Sequence, residues 1–307
     1  MPAKSAKRRS KTSVPKTPPA VVLIIGAKGM LGGALCAVFG DSKVIAWDRA
    51  ECDITNAEDI REKIISVSPK IIINAAAYTD VDGAETNKAS AFKVNGDAPG
   101  NLANIAADIG AKFVHYSTDY VFSGAKPFGY SEDDVATMPC NVYGASKRIG
   151  EERIRAVAQE RGGAFGWYII RTSWLFGPGG KNFVRTIYNA AKNKDELSVV
   201  NDQHGKPTYT HDLAAATKEI VFGTFPPGIY HVTNETPTTG ITWYEFAKEI
   251  ISQAHFATRV IPSSSASVAR AATRPEFSIL LNRKLPPQRS WELALADYMK
   301  LLLSGKS

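Results

Sequence analysis

Short apolar runs alternate with amphipathic stretches over the first 177 residues. Five runs rich in β-branched and aromatic residues predict buried strands, and they lie at 21–25, 43–48, 71–76, 112–117 and 167–172. Between them, apolar positions at helical spacing predict helices at about 30–39, 56–67, 84–109 and 143–160. We expect a joint near 96–99 in the third helix, where Gly and Pro interrupt the pattern. Strands that alternate with helices predict an α/β fold, a doubly wound parallel sheet with helices on both faces.

The alternation weakens after the Gly-rich stretch 177–180. Four helix-like stretches follow, at 182–193, 210–222, 242–253 and 290–303. One apolar run, 228–232, predicts a strand that returns to the first sheet. We therefore expect residues 21–177 to form one domain together with that strand. Residues 178–307 are expected to form mainly a smaller, discontinuous α/β domain.

The net charge of +7 is concentrated in the first 20 residues. Six of the 37 Lys and Arg residues lie there without any acidic residue, and the other 31 are matched by 30 Asp and Glu residues. Residues 1–20 are also rich in Pro, Ser and Thr, which predicts a disordered tail. A polyanion contact through this tail stays open, but the near-neutral remainder predicts no nucleic-acid partner.

The sequence indicates neither a membrane span nor a secretion signal. No apolar run reaches the ~18–20 residues that a spanning helix needs, and the basic tail lacks the apolar centre of a signal peptide. Three widely spaced cysteines, Cys36, Cys52 and Cys140, are typical of reduced thiols rather than of a disulfide or zinc framework. We predict a cytoplasmic protein with no membrane partner.

Tyr143 and Lys147 place acid-base chemistry on one face of a predicted helix. Residues four apart lie one turn from each other. An ammonium group beside a phenol stabilises the phenolate, and this helps a poor acid to act near neutral pH. Thr118 follows the strand predicted over 112–117, and its hydroxyl is suited to hold a carbonyl oxygen. The three side chains predict a site that protonates a ketone while a hydride arrives from elsewhere.

A glycine-rich turn is the candidate site for a hydride donor. The stretch Gly26-Ala-Lys-Gly29-Met30-Leu31-Gly32 lies between the first strand and the first helix. Glycine lets the backbone turn tightly and approach a pyrophosphate, whose charge is favoured by the helix N-terminus. The spacing differs from the commoner Gly-x-Gly-x-x-Gly, and a turn without a ligand is the alternative. Its place in the first βαβ unit favours a Rossmann-like dinucleotide site.

Asp48 and Arg49 bear on the choice of cofactor. Asp48 ends the second predicted strand, where a carboxylate would bond the adenosine ribose hydroxyls. That carboxylate disfavours a 2′-phosphate, whereas Arg49 would accept one, so we expect both NADH and NADPH to be used. Further cofactor contacts are expected after the second and third strands, at Asp53, Ile54, Ala75, Ala76 and Ala77.

Several motifs resemble those of the extended short-chain dehydrogenase/reductases, and more closely those of the dTDP-4-dehydrorhamnose reductase family. Besides the glycine turn and Tyr143-x-x-x-Lys147, they are Asn74-Ala-Ala-Ala-Tyr-Thr-Asp-Val-Asp82, Ser117-Thr-Asp-Tyr-Val-Phe122, Arg171-Thr-Ser-Trp-Leu-Phe-Gly177, Asn182-Phe183 and Asn201-Asp-Gln-His-Gly-Lys-Pro-Thr208. The resemblance covers roughly residues 21–285. The block from Ser117 to Phe122 is its most specific part.

The resemblance implies that a nicotinamide cofactor reduces a dTDP-linked 4-keto-6-deoxy sugar. Tyr143 would donate the proton, Lys147 would lower the pKa of Tyr143 and hold the nicotinamide ribose, and Thr118 would bind the C4 carbonyl oxygen. Asn95 matches an asparagine that supports the proton path, and we group it with the cofactor site. A plain amide at the helix joint is the alternative for Asn95.

The resemblance also implies the substrate contacts. Asp119 and Tyr120 would face the sugar, and Trp174 would pack on it, although an aromatic residue after a strand is more often part of a core. The nucleotide side of the pocket would be formed by Asn182, Gln203, Gly205, Pro207 and Thr208.

Two places depart from the family pattern. Leu281 stands where the C-terminal motif of the family commonly has an acid. Gly33 and Ala34 stand where some members have a glutamate that takes part in a magnesium-bridged dimer. We therefore predict no metal site, with magnesium suggested by the family alone and a homodimer left open. Neither change touches the proton-transfer residues.

The resemblance implies an NAD(P)H-dependent enzyme that reduces dTDP-4-dehydro-β-L-rhamnose to dTDP-L-rhamnose. A reductase of a related 4-keto-6-deoxy sugar, or of one on a UDP or GDP carrier, is the nearest alternative. An epimerase with a resident cofactor is a further one. A non-catalytic regulatory subunit similar to the beta subunit of methionine adenosyltransferase would have the same fold. The presence of Thr118, Tyr143 and Lys147 together favours catalysis.

Overall fold

The computed structural model describes residues 20–305, and the tail predicted over residues 1–20 lies outside the described residues, apart from Ala20. In that range the strands are β1 (Val21–Ile25), β2 (Lys43–Trp47), β3 (Ile71–Asn74), β4 (Lys112–Thr118), β5 (Trp167–Thr172), β6 (Leu175–Phe176), β7 (Glu196–Val200), β8 (His204–Gly205), β9 (Thr208–Tyr209), β10 (Gly228–His231), β11 (Ile241–Thr242) and β12 (Arg259–Ser263). The α-helices are α1 (Met30–Val38), α2 (Ala57–Val67), α3 (Val81–Thr86), α4 (Lys88–Phe92), α5 (Ala98–Asp108), α6 (Val142–Arg161), α7 (Phe183–Ala191), α8 (Thr210–Phe222), α9 (Trp243–Gln253) and α10 (Trp291–Leu303).

Six strands form a parallel sheet in the order β2, β1, β3, β4, β5, β10. In this register Ile24 of β1 lies between Ala46 of β2 and Ile73 of β3. The direction in which the chain adds strands reverses between β1 and β3. A crevice opens at such a reversal, outside the carboxyl ends of the strands. The predicted doubly wound α/β sheet is confirmed.

Hydrophobic layers cover both faces of the sheet. On one face Ile24 packs in a buried cluster with Leu35 of α1 and Leu213 of α8. On the other face Leu23 belongs to a cluster with side chains of α2, α5 and α6, among them Leu102. Strands buried on both faces need apolar residues at successive positions, which explains their unbroken apolar runs. Each such side chain stabilises the fold by ~1.5–3 kcal/mol when it is fully buried.

The jointed helical region predicted over 84–109 is divided further than expected. The chain forms α3, α4, a π-helical segment at Lys93–Asp97 and then α5. Asn87 interrupts the first part, because its side-chain amide donates to the Gly83 carbonyl oxygen and ends α3. The π-helical segment contains Gly96 and marks the joint that was predicted near 96–99. Its Gly96 lies against Ile149 of α6, so the irregular turn coincides with a close helix contact.

Helix α6 packs closely on its neighbours at two glycines. A Cβ at Gly150 would lie 2.2 Å from the Asn95 carbonyl oxygen, and one at Gly144 would lie 2.1 Å from the Tyr120 carbonyl oxygen. Asn141 caps the helix by accepting from the Gly144 N–H at 2.8 Å. These contacts fix the position of α6 beside β4. Although α6 is 20 residues long, no helix within residues 20–305 is long and apolar enough to cross a membrane.

The second half of the chain contains strands that the hydrophobic pattern did not predict. Besides the predicted helices α7 to α10, β7 pairs with β12 in parallel, β6 pairs with β9, and β8 pairs with β11. These strands are two to five residues long, too short for a recognisable alternation. They surround a separate core that includes Phe176, Phe246 and Tyr298. The strand β10 lies beside β5, while the division of the chain into two domains stays a prediction.

Substitution of Gly150 by Ala should destabilise the protein. The added methyl group meets a backbone oxygen rather than a flexible side chain, so α6 must move away from the π-helical segment. Overpacking of this kind costs ~1–3 kcal/mol, and urea unfolding would measure it. Gly33→Ala is the control, since nothing lies within 4 Å of its added Cβ and a helical Gly→Ala change gains up to ~1 kcal/mol. Equal stability of the two variants would contradict the packing described here.

Candidate active site

A cleft of about 1240 Å³ opens at the carboxyl ends of the sheet strands. Its walls come from the loops after β1, β2 and β3, from the end of β4, from the start of α6 and from the segment after β5. Seventeen of the residues predicted from the sequence line it: Gly26, Gly29, Met30, Leu31, Gly32, Asp48, Arg49, Asp53, Ile54, Ala75, Ala76, Ala77, Thr118, Asp119, Tyr143, Lys147 and Trp174. The fold therefore brings the glycine turn and the Tyr–Lys pair to one cleft.

The glycine turn has no room for side chains at two of its positions. Gly26 has φ +82°, and a Cβ there would lie 2.7 Å from the Ala76 backbone nitrogen. A Cβ at Gly32 would lie 2.1 Å from the Gly26 carbonyl oxygen. The turn thus holds the N-terminus of α1 close to β1 and β3, with backbone at the surface of the cleft. This cradle fits the pyrophosphate of a dinucleotide.

Asp48, directly after β2, forms an ion pair that the sequence pattern did not predict. The exposed Lys28 of the glycine turn forms an ion pair with it. The hydrogen bond from Lys28, with a further one from the Ala50 N–H, holds the pKa of Asp48 below its usual range. Arg49 next to it is exposed. An ionised acid with two cations beside it is suited to ribose hydroxyls and also tolerates a phosphate.

Tyr143 and Lys147 reach the cleft from the first turns of α6. The Lys147 ammonium is 3% exposed and donates to the Tyr116 carbonyl oxygen of β4 at 2.8 Å. Tyr143 packs edge-on against Tyr120, with ring centroids 5.9 Å apart. At the end of β4 the Thr118 hydroxyl donates to Asp119 Oδ1 at 2.8 Å. A phenol, a hydroxyl and a buried cation thus share one end of the cleft.

The prediction that Lys147 lowers the pKa of Tyr143 is wrong. Burial raises the pKa of Tyr143 to about 12, the negative charge of Asp119 adds to this, and a hydrogen bond with Thr118 opposes it. Lys147 is not among the causes. Its own pKa is lowered to about 8 by burial, against an opposing effect of Glu151. The phenol therefore keeps its proton at neutral pH, whereas the ammonium is close to losing its own.

Asp119 is a buried acid with one oxygen free. Its Oδ1 accepts from Thr118, while its Oδ2 has no hydrogen-bond partner among the described residues. Burial raises the pKa of Asp119 to about 6, partly offset by the hydrogen bond from Thr118. A buried carboxylate oxygen without a partner normally costs stability. Its place at the cleft makes it a candidate acceptor for a ligand hydroxyl.

Asn95 and Tyr120 do not line the cleft directly. The buried side chain of Asn95 accepts from the Tyr78 N–H and donates to the Tyr78 carbonyl oxygen, both at 2.9 Å, and also donates to Ser146 at 3.0 Å. Because Tyr78 lines the cleft, Asn95 supports the wall of the cleft through its hydrogen bonds to the Tyr78 backbone. The alternative of an amide at the helix joint describes this geometry better than a direct cofactor contact. Tyr120 lies behind Tyr143.

Trp174 forms part of an aromatic wall. It stacks on Trp243 with ring centroids 3.5 Å apart and has φ +48°, a conformation that costs energy for a bulky residue. Gly205 packs against the indole ring, since a Cβ at this position would be 2.5 Å from Trp174 Cε2. The Trp174 ring is thus held in place by its neighbours at the edge of the cleft.

None of the five residues assigned to the nucleotide side lines the cleft, and two of them, Gly205 and Thr208, contact Trp174. Gly205 and Thr208 belong to short strands, and the Thr208 N–H donates to the Trp174 carbonyl oxygen at 3.3 Å. Asn182 caps α7 and donates to the Gly177 carbonyl oxygen. Gln203 is buried, and the carbonyl oxygen of Pro207 accepts from the Asn234 N–H. Their roles in substrate binding stay predictions.

The cleft also contains residues that the sequence reasoning missed. These are Ile25, Cys52, Thr55, Tyr78, Thr79, Ser90, Lys93, Val94, Tyr116, Ser117, Thr172, Ser173, Leu175, Gly179, Gly180 and Lys181. The position of Gly179 and Gly180 after β5 was a usable signal, because carboxyl strand ends meet at one edge. Lys93 and Val94 gave no such signal, since they reach the cleft from the π-helical segment. In the described part of the chain, no cluster of His, Cys, Asp and Glu side chains is arranged to hold a metal ion.

A Rossmann-like sheet with a glycine turn and a Tyr–Lys helix defines the short-chain dehydrogenase/reductase class. The family model described as the RmlD substrate binding domain matches residues 20–304. The chain therefore belongs to the RmlD family, that of the dTDP-4-dehydrorhamnose reductases. The resemblance expected from the motifs is confirmed.

Relatives and solved structures agree with this membership. A dTDP-4-dehydrorhamnose reductase of Streptomyces griseus is 39% identical over 90% of this chain and 91% of its own length. The spore coat polysaccharide biosynthesis protein SpsK of Bacillus subtilis is 39% identical over 91% of this chain and 96% of its own. The crystal structure of dTDP-4-dehydrorhamnose reductase from Bacillus anthracis in complex with NADP is 36% identical, with a TM-score of 0.86, and the match covers 92% of this chain and 99% of that one.

Two adjacent glycines of α1 provide a test of the cofactor cradle. Gly32→Ala places a methyl group against the Gly26 carbonyl oxygen, so the turn must open and NADPH affinity should fall by ~10-fold or more, a loss of ~1.4 kcal/mol. Gly33→Ala, one residue later with open space around its Cβ, should leave the affinity unchanged. Titration of NADPH fluorescence would measure both. The same affinity in both variants would show that the turn does not hold the cofactor.

Proposed function

We propose that this protein is an NAD(P)H-dependent reductase of the C4 ketone of dTDP-4-dehydro-β-L-rhamnose, with dTDP-L-rhamnose as the product. The observation that carries the proposal is the meeting of Thr118, Tyr143 and Lys147 with the glycine turn in one cleft. Membership of the reductase family, including a relative whose structure contains NADP, supports the choice of substrate and cofactor.

The cofactor would lie across the reversal point of the sheet. The glycine turn and the N-terminus of α1 would hold its pyrophosphate, and Asp48 would bond the adenosine ribose. Lys147 would hold the nicotinamide ribose. When bound, NADPH or NADH supplies the hydride. Lys28 and Arg49 flank Asp48, which supports the use of both cofactors because a 2′-phosphate would find cations there.

Proton transfer would come from Tyr143. The phenol is protonated at neutral pH, as an ordinary phenol is, and burial raises its pKa further, to about 12. It can give this proton to the C4 oxygen as negative charge develops there. The Thr118 hydroxyl would hold the same oxygen. The Lys147 ammonium, fixed on β4, would stabilise the resulting phenolate. Each group thus acts on a charge that appears only during the reaction.

The sugar would lie between Asp119 and the aromatic wall. The free Oδ2 of Asp119 is a suitable acceptor for a sugar hydroxyl, and Tyr120 would support that side through Tyr143. Trp174 would pack on the sugar ring. Beyond it, we assign the nucleotide side to Asn182, Gln203, Gly205, Pro207 and Thr208.

We also propose a cytoplasmic location, where nucleotide sugars are made and thiols stay reduced. All three cysteines, Cys36, Cys52 and Cys140, are free, which is typical of a reducing compartment. A homodimer stays a prediction that needs a measurement of molecular mass in solution.

Turnover with purified protein tests the proposal. With dTDP-4-dehydrorhamnose, the absorbance of NADPH or NADH at neutral pH should fall and dTDP-L-rhamnose should form. Tyr143→Phe should lower kcat by ~10²-fold or more, because a general acid contributes ~10²–10⁴-fold, while NADPH binding stays intact. Tyr78→Phe, at the cleft wall, is the matched aromatic control and should retain most of kcat.

Three results would contradict parts of this account. Near-wild-type kcat in Tyr143→Phe would remove Tyr143 as the proton donor. Faster turnover of dTDP-4-dehydro-6-deoxyglucose, or of a UDP- or GDP-linked ketone, would change the substrate. NADPH binding without turnover of any 4-keto nucleotide sugar would favour the regulatory alternative.

A further inference from the structure

A buried ion pair lies one helical turn beyond Lys147. Glu151 of α6 and Arg171 of β5 are 3% and 2% exposed. The guanidinium makes two parallel hydrogen bonds to the carboxylate, Nε to Oε1 at 2.9 Å and Nη2 to Oε2 at 2.7 Å. This fork geometry is the strongest form of an Arg–carboxylate contact. It ties α6 to the sheet just below the residues assigned to proton transfer.

Arg171 is itself fixed from two further sides. Its Nη1 lies 3.4 Å from His231 Nε2 of β10, and its guanidinium lies 4.9 Å from the centre of the Phe122 ring. Burial, with the charge of Arg171, keeps the pKa of His231 well below its usual value, so this ring is neutral. Arg171 therefore has one anionic partner, Glu151.

Titratable and polar groups lie near Lys147 on α6 itself and on the strand β4. They are Glu151 of α6, and His115 and Tyr116 of β4, with Tyr143 one turn earlier on α6. Asp119 acts on Tyr143, and Arg171 lies beyond Glu151. Burial and the charge of Lys147 keep the pKa of His115 well below its usual value, so that ring is neutral as well. On the other elements packed against α6, Glu85 accepts from the Val142 N–H, Asp97 pairs with Arg153, and Lys93 lines the cleft. Glu151 is thus the anion one turn from the ammonium.

Stability alone does not explain the pair. Two charges taken out of water cost several kcal/mol, and a well-packed apolar pair of similar size is often as stable or more stable. Here a second buried cation, Lys147, lies one helical turn from Glu151, and within residues 20–305 its only hydrogen bond is to a neutral carbonyl oxygen. Without an anion nearby, burial would favour its neutral amine form.

We propose that Glu151, held by Arg171, is a positioning residue that keeps Lys147 charged and in place on β4 for cofactor binding and proton transfer. Glu151 does not touch the cofactor or the substrate in this scheme and acts only through Lys147. The inference rests on the proposed function for its kinetic test, but not for its binding test. Arg171 acts one step further back, because it holds the Glu151 carboxylate.

The experiment follows NADPH affinity and kcat against pH in the full chain. Glu151→Gln removes the anion, so the pH at which both quantities fall to half should move down by ~1 unit, with a loss of ~10-fold above it. Arg171→Gln removes the side chain that holds the Glu151 carboxylate, so the same midpoint should move down as well. Glu152→Gln is the matched control, because Glu152 is exposed and pairs with Arg148 at the surface, and it should leave the midpoint unchanged.

A purely structural role predicts a different result. In that case both buried variants would lower stability and affinity at every pH, with the midpoint unmoved, and the proposal would be wrong. If either variant does not fold, Glu151→Asp and Arg171→Lys take its place. Glu151→Asp should restore the wild-type midpoint because it keeps the charge, and a midpoint equal to that of an uncharged side chain would overturn the proposal.

The binding readout separates this inference from the proposed function. If the wild-type protein binds NADPH but reduces no 4-keto nucleotide sugar, the function is wrong. The downward shift of the NADPH-affinity midpoint in Glu151→Gln would still test the role of Glu151. A wild-type affinity that does not change between pH 6 and 10 would overturn the inference whatever the substrate.

Discussion

A buried ammonium group bonded to the backbone of the central sheet is the constraint on which this site depends. Lys147 donates to the Tyr116 carbonyl oxygen at 2.8 Å, so the first turns of α6 are fixed against the end of β4. That contact places Tyr143 beside Thr118 and turns both towards the cleft. It requires α6 to approach very closely, which the glycines at positions 144 and 150 allow. The chemistry therefore depends on backbone packing as much as on the reactive side chains.

The same constraint has an electrostatic cost. Burial moves the pKa of Lys147 down to about 8 and that of Tyr143 up to about 12, so both groups are pushed towards their neutral forms. A neutral phenol is useful in a proton donor, whereas a neutral amine would be useless beside a developing phenolate. The acid that opposes the effect on Lys147 is Glu151. Pairs of titratable groups with pKa values moved in opposite directions are typical of acid-base sites.

Much of the fold and the chemical centre could be predicted from the sequence. The apolar runs gave the sheet because buried parallel strands need apolar residues on both faces. The glycine turn, Thr118, Tyr143 and Lys147 were predictable because the carboxyl ends of parallel strands meet at one edge. The motif order then indicated the family, which physical reasoning about single residues does not reach.

Other features depend on contacts that no local pattern records. The π-helical segment arises where Gly96 meets α6, and the ion pair of Lys28 with Asp48 joins two separate loops. The position of Asn95 behind Tyr78, instead of in the cleft, follows from hydrogen bonds across 17 residues. The direction of the Tyr143 pKa shift was mispredicted because helical spacing reveals the neighbouring cation but not the burial. These are long-range properties, and they decide how the site works rather than which reaction class it belongs to.

The central claim is that the end of β4 and the start of α6 act together on one carbonyl oxygen. A crystal structure of the protein with NADP⁺ and dTDP-L-rhamnose would test this most directly. The account predicts the O4 atom of the sugar within ~2.5–3.0 Å of both the Tyr143 and the Thr118 hydroxyl oxygens, with the nicotinamide ring on the glycine-turn side of the sugar. A sugar bound with O4 away from Tyr143, or a dinucleotide bound outside the cleft, would contradict it.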